Sequence, residues 1–78
     1  MHIKILGPGC ANCTNLEKNT RTALAELGLD ATVEKVTDYG AIAGYGVMKT
    51  PGLVVDEQVV VSGRVPKPAE IAKLLSPA

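Results

Sequence analysis

The strongest constraint on the fold is an abrupt change of pattern at Gly7-Pro8-Gly9. Before it, His2-Ile3-Lys4-Ile5-Leu6 reads as a short buried strand. After it, from about Cys10 or Ala11 to Leu27, apolar or small residues recur at Cys13, Leu16, Thr20, Ala23, Leu24 and Leu27, near the 3.6-residue period of a helix. The opposite side of that helix carries Glu17, Lys18, Arg21 and Glu26 and is expected to face water. Gly28 supplies the residue that most readily takes a left-handed helix end. A β-rich segment, Ala31–Val36, follows at once. A strand, a long helix and a second strand in this order imply a parallel βαβ unit with a right-handed crossover.

The second half has a different rhythm. Asp38 is a cap for a short helix running through Ala43, although Gly40 and Gly44 weaken it. Leu53–Val55 and Gln58–Ser62 read as two strands joined by a tight Asp56-Glu57 turn, and Gly63 ends the second. Pro66-Lys67-Pro68 leads into a last helix with Ile71, Leu74 and Leu75 on its buried face; Pro68 suits a first helical turn. The order is β-α-β-α-β-β-α, an α/β fold with a mixed four-stranded sheet and helices on both faces. With 78 residues, no repeat and no linker, the chain is expected to form one domain over residues 1–78, burying only about 60–65% of its unfolded surface.

Charge narrows the partners. Lys+Arg and Asp+Glu both number 8 and the net charge is zero, so no nucleic-acid partner and no polybasic membrane contact are expected. Two aromatic residues, Tyr39 and Tyr45, are too few for a single-strand stacking platform. No apolar run approaches the ~18 residues of a membrane span, and the amino-terminal residues do not resemble a signal peptide. A cytoplasmic location and a monomeric state are the expectations.

Both cysteines stand just after the break, at Cys10 and Cys13. So short a loop removes only about 2 kcal/mol of chain entropy when bridged, which argues against a purely structural disulfide. Positions three apart on a first helical turn lie roughly 5–6 Å from one another, within disulfide reach. The unpaired N–H groups and positive dipole end of a helix amino terminus stabilise a thiolate. Cys10 falls at the loop–helix junction and Cys13 opens the buried stripe. Cys10 is therefore the expected nucleophile and Cys13 the resolving thiol. Two merely buried small residues would leave the Gly-Pro-Gly lead-in without a reason.

With Gly7-Pro8-Gly9-Cys10-Ala11-Asn12-Cys13 between strand and helix, the chain resembles the thioredoxin superfamily, and within it the small thioredoxin- or glutaredoxin-like redox-active disulfide proteins of prokaryotes. Tyr45-Gly46-Val47-Met48-Lys49-Thr50-Pro51-Gly52-Leu53-Val54-Val55 and Gly63 carry the same resemblance independently of the cysteines. It extends over essentially the whole chain. It implies a sheet of order 2-1-3-4 with the third strand antiparallel to the rest. It also implies a redox pair at Cys10 and Cys13, a cis-proline at Pro51 facing the disulfide, and a backbone at Thr50 offered to an extended substrate peptide.

Two departures from the family pattern stand out. No Trp precedes Cys10, and Lys4 stands six residues before it, where thioredoxins place a buried Asp that helps to deprotonate the resolving thiol. Lys4 is read as snorkelling from an edge or end of the sheet, with a lysine beside the dithiol as the sharper reading. His2 is expected to face solvent. Tyr39 and Tyr45 are expected to pack around the short helix and Met48 to fill a gap in the core. Lys49 is read either as a solvated charge or as lining a substrate groove.

The expected function is thiol–disulfide exchange with protein disulfides, with no cofactor and no metal, recycled by an external thiol or disulfide reductase. Two alternatives stand beside it. One is a Cu(I) carrier using the same cysteine pair, although Pro8 stands where heavy-metal-associated domains usually carry Met, and those domains end in a strand. The other is an interaction module of the same fold whose dithiol is never turned over.

Overall fold

A computed structural model describes residues 1–9 and 11–75. Its elements are β1 (His2–Leu6), α1 (Ala11–Leu27), β2 (Thr32–Val36), α2 (Tyr39–Gly44), β3 (Gly52–Val55), β4 (Gln58–Ser62) and α3 (Pro68–Leu75). The sheet order is β2-β1-β3-β4. β1 pairs in parallel with β2 and antiparallel with β3, and β4 is antiparallel to β3. The order and strand directions expected from the sequence are those observed.

Strand alternation divides the core. Ile3, Ile5, Leu53 and Val61 face Leu16, Ala23 and Leu24 of α1 and Ile71 and Leu75 of α3. On the other face, Leu6 and Val54 meet Ile42 of α2 and Val47, with Tyr45 packed against them. Thr20 is buried in α1 without cost to its hydroxyl, which donates to the Leu16 carbonyl at 2.7 Å. Asn19 Nδ2 donates to the Pro66 carbonyl at 3.0 Å and ties α1 to the approach to α3.

The ends of the elements follow their local chemistry. Gly28, at φ 65°, closes α1 with bonds from Gly28 N to Ala25 O and from Leu29 N to Leu24 O, a Schellman arrangement. The Asp38 carboxylate accepts from Ala41 N at 2.8 Å and caps α2. Asp56 and Glu57 both have positive φ, 48° and 68°, which matches the right-handed twist of a two-residue hairpin.

Several placements differ from the expectations. Leu27 and Leu74 are exposed: Leu27 is the last residue of α1, and the buried face of α3 runs through Ile71 and Leu75 and leaves Leu74 at its margin. Tyr39 is exposed at the start of α2, and Met48 is 92% exposed rather than filling the core. Glu17, expected to face solvent, has a side chain only 15% exposed. β4 carries an irregularity opposite Leu53 and Val54 that adds Val60 between the residues pairing with them.

Candidate functional site

The carboxyl end of β1 makes the candidate site. Gly7 N donates to Val36 O at 2.9 Å, extending the β1–β2 ladder by one residue before the chain turns into Pro8 and Gly9. Both are exposed, and Gly9, at φ 92°, uses the freedom that only glycine has there. α1 then opens at Ala11. Cys10 lies outside the described residues. Cys13 is 5% exposed and begins the buried stripe of α1 that continues through Leu16 and Thr20.

Gly7 is what allows the sulfur to sit there. A Cβ at Gly7 would fall almost on Cys13 Sγ, well inside any contact a real side chain makes, and 3.3 Å from Cys13 Cβ. The same point is 3.8 Å from Thr50 Cβ. Cys13, Gly7 and Thr50 therefore converge, although 37 residues separate Cys13 from Thr50. Thr50 is half-buried and Pro51 is buried. The Thr50–Pro51 peptide bond is cis, and the Pro51 carbonyl accepts from Gly63 N at 2.8 Å. Lys49 is exposed, and its aliphatic stem lies beside Gly63, where a Cβ would come within 3.0 Å of Lys49 Cβ.

Lys4 belongs to the other end of the sheet. It is on β1 on the α2 face, and its ammonium binds Glu57 Oε1 at 2.8 Å and the Tyr45 hydroxyl. Tyr45 in turn donates to Glu57 Oε2 at 3.1 Å. The ammonium is 5.2 Å from the Tyr45 ring centroid, almost the full sum of ring radius, C–O bond and hydrogen bond. It therefore sits off the tip of the ring, and the contact is a hydrogen bond rather than a cation–π one. Glu57 occupies the β3–β4 turn, next to Asp56, whose N–H bonds to His2 O. That is the amino end of β1, away from Gly7. The snorkelling reading of Lys4 thus holds, and the reading of a lysine beside the dithiol does not. The hydrogen bond to Glu57, then that to Tyr45, holds the Lys4 ammonium well above the usual lysine range. The Glu57 carboxyl is held below its usual value first by Lys4 and then by Tyr45.

Sequence reasoning missed Glu17. One helical turn beyond Cys13, it lines the same small cleft as Cys13, Thr14, Ile5 and Gly7, with Lys35 and Thr37 across from it. Its carboxylate takes Lys35 Nζ at 2.9 Å on one oxygen and Arg21 at 3.1 Å on the other. The Lys35 hydrogen bond chiefly lowers its carboxyl below the usual range, with Arg21 adding to this and burial opposing. The i,i+4 spacing of Glu17 from Cys13 was visible in the sequence; the lysine from β2 was not.

Comparison with known proteins places the chain in a family. The model of a thioredoxin domain matches residues 1–76. The chain belongs to the thioredoxin family. It is 49% identical over 76 residues to a thioredoxin of Methanothermobacter thermautotrophicus, covering 97% of this chain and 99% of that one. It is 41% identical over 73 residues to a thioredoxin of Methanocaldococcus jannaschii, covering 94% and 84% respectively. Gly7, Cys13 and Thr50, from distant parts of the sequence, come together at one end of the sheet. Among the described residues no helix is long and apolar enough to cross a membrane.

Proposed function

We propose that the protein is a thiol–disulfide oxidoreductase that exchanges a Cys10–Cys13 dithiol for disulfides in other proteins. The observation that carries this reading is the seat of Cys13: buried at the start of α1 against a glycine that cannot be larger, beside Thr50, in a chain whose relatives are named thioredoxins.

In the proposed cycle the Cys10 thiolate attacks one sulfur of a substrate disulfide, forming a mixed disulfide and releasing one substrate thiolate, which takes a proton from solvent. Cys13 loses its proton and attacks Cys10 Sγ. The Cys10–Cys13 bond forms, the mixed disulfide breaks, and the second substrate thiol leaves. Two electrons pass from the dithiol to the substrate, and an external thiol or disulfide reductase returns them. Thr50 offers backbone groups to an extended substrate strand and Pro51 holds that segment against the site. The protein works in the cytoplasm as a monomeric domain spanning residues 1–78, with no cofactor, metal, membrane or nucleic acid taking part.

The test uses Cys13→Ser. With resolution blocked, the variant should accumulate a mixed disulfide through Cys10 when offered an oxidised protein substrate, and Cys10→Ser should not. Adducts through Cys13 alone, or a wild-type protein that fails to pass electrons from dithiothreitol to a protein disulfide, would sink the assignment.

A further inference from the structure

α1 packs on the sheet through Leu16, Ala23 and Leu24, and the Glu17–Lys35 ion pair lies at the cleft that Cys13 also lines. Residues four apart on a helix have Cβ atoms about 5–6 Å from each other, and Cys13 and Glu17 line one cleft. The cleft wall from β1 is Ile5 and Gly7, and Thr37 follows β2; none carries a charge. Thr50 approaches Gly7, and the Lys49 stem lies over Gly63. Among the described residues, the charged groups lining this cleft are Glu17 from α1 and Lys35 from β2, with Arg21 reaching the far oxygen of Glu17. The carboxylate is the least open to solvent of them, with both cations bonded directly to it. Its side chain is 15% exposed, against 61% for Lys35, and solvent weakens the field of a charge in proportion to its access.

We infer that Glu17 keeps the Cys13 sulfur protonated and that Lys35 limits how strongly it does so, which makes the pair a positioning device for the resolving step of the exchange proposed above, the reading on which this inference rests. A like charge nearby disfavours ionisation, and an opposite charge favours it. The pair therefore separates the two cysteines chemically: the site supports one thiolate for attack, while Cys13 stays a thiol until the mixed disulfide has formed. It then gives its proton to solvent in the cleft and attacks Cys10.

The experiment follows the Cβ carbon resonance of Cys13 against pH in full-length Cys10→Ser protein, alone and with Glu17→Gln or Lys35→Met added. Glu17→Gln should lower the Cys13 midpoint by about half a pH unit or more, roughly a threefold rise in thiolate fraction below the midpoint. Lys35→Met should raise it. Opposite shifts are the signature, because a purely structural role would loosen the cleft and move both variants the same way. Midpoints that stay put, or shift together, overturn the inference. If Glu17→Gln does not fold, Lys35→Met decides alone, and an unchanged or lowered midpoint overturns it. Since the Cys10→Ser protein cannot turn over, the titration stands apart from the exchange reaction. Loss of that reading would show instead as absent disulfide reduction by the wild type.

Discussion

Replacing Gly7 with Ala tests whether the packing of Cys13 against the strand end is what positions the sulfur. Gly7 does not have a left-handed φ, so alanine meets no backbone penalty there, and its N–H keeps its bond to Val36. The perturbation is purely one of volume. The added methyl would overlap Cys13 Sγ and press on Cys13 Cβ at 3.3 Å, while Thr50 Cβ, at 3.8 Å, is in ordinary contact. Sγ is not the far end of a long flexible side chain, and Cys13 is 5% exposed, so the clash resolves only by rotating the thiol or moving α1. Overpacking of this kind costs about 1–3 kcal/mol. Alanine returns about 0.4–1 kcal/mol by restricting the unfolded chain. A net loss of about 1–2 kcal/mol lowers the melting temperature of a domain this size by roughly 5–15 °C. The assay is urea unfolding of the fully reduced protein as a double-mutant cycle with Cys13→Ala. Without the sulfur, Gly7→Ala should become neutral or slightly stabilising, giving a coupling of at least about 1 kcal/mol. Equal losses in both backgrounds would show that the glycine serves something other than Cys13.

Two further predictions concern the Lys4–Tyr45–Glu57 network. The Glu57 carboxyl is lowered from 4.5, so its stabilisation is present above that value and fades as pH falls through the folded value. The Lys4 ammonium is raised from 10.5, so its part persists below that value and is lost only above it. The stability gap between wild type and Glu57→Gln should be flat from about pH 6 to 10 and close on acidification; a gap that widens toward low pH would contradict the pairing. Glu57 also holds a φ of 68°, so Glu57→Gly should be more stable than Glu57→Ala by about 1 kcal/mol in urea unfolding, and equal stabilities would mean that the turn relaxes.

What was legible in the sequence was whatever periodicity and punctuation encode. The break at Gly7-Pro8-Gly9, the stripe from Cys13 to Leu24 and the glycine after Leu27 carry α1 almost to the residue. The Asp38 cap and the Asp56-Glu57 turn announce themselves by residue type. Exposure in the loops was less legible. Met48 and Tyr39 are apolar enough to be read as core, but each falls outside the regular elements or at the start of one, where no period assigns a face. Leu27 and Leu74 continue their stripes by spacing and still emerge, because Leu27 is the last residue of α1 and the buried face of α3 runs through Ile71 and Leu75. The irregularity in β4 has no signal in Gln58-Val59-Val60-Val61-Ser62, a run in which every register is equally apolar.

The charges around β1 show a deeper reason for the same limit. Lys4 and Glu17 were both placed by their own element, one on a buried strand and one on the polar side of a helix, and in both cases the partner decided the outcome. Lys4 is held where it is by Glu57 in the hairpin turn and by Tyr45, which follows α2 and bonds both. Glu17 is drawn toward the sheet because Lys35 comes from the neighbouring strand to meet it. Each pair joins residues far apart in the chain and depends on strand order: β2 must lie beside β1 for Lys35 to reach α1, and β3 must lie on the other side for Glu57 to reach Lys4. Once the order β2-β1-β3-β4 is fixed, the two ion pairs fall at different places around β1. Lys4, which stands where thioredoxins place a buried Asp, is committed to Glu57 in the hairpin turn and to Tyr45. The acid that lines the Cys13 cleft is Glu17, from the helix that carries the cysteine.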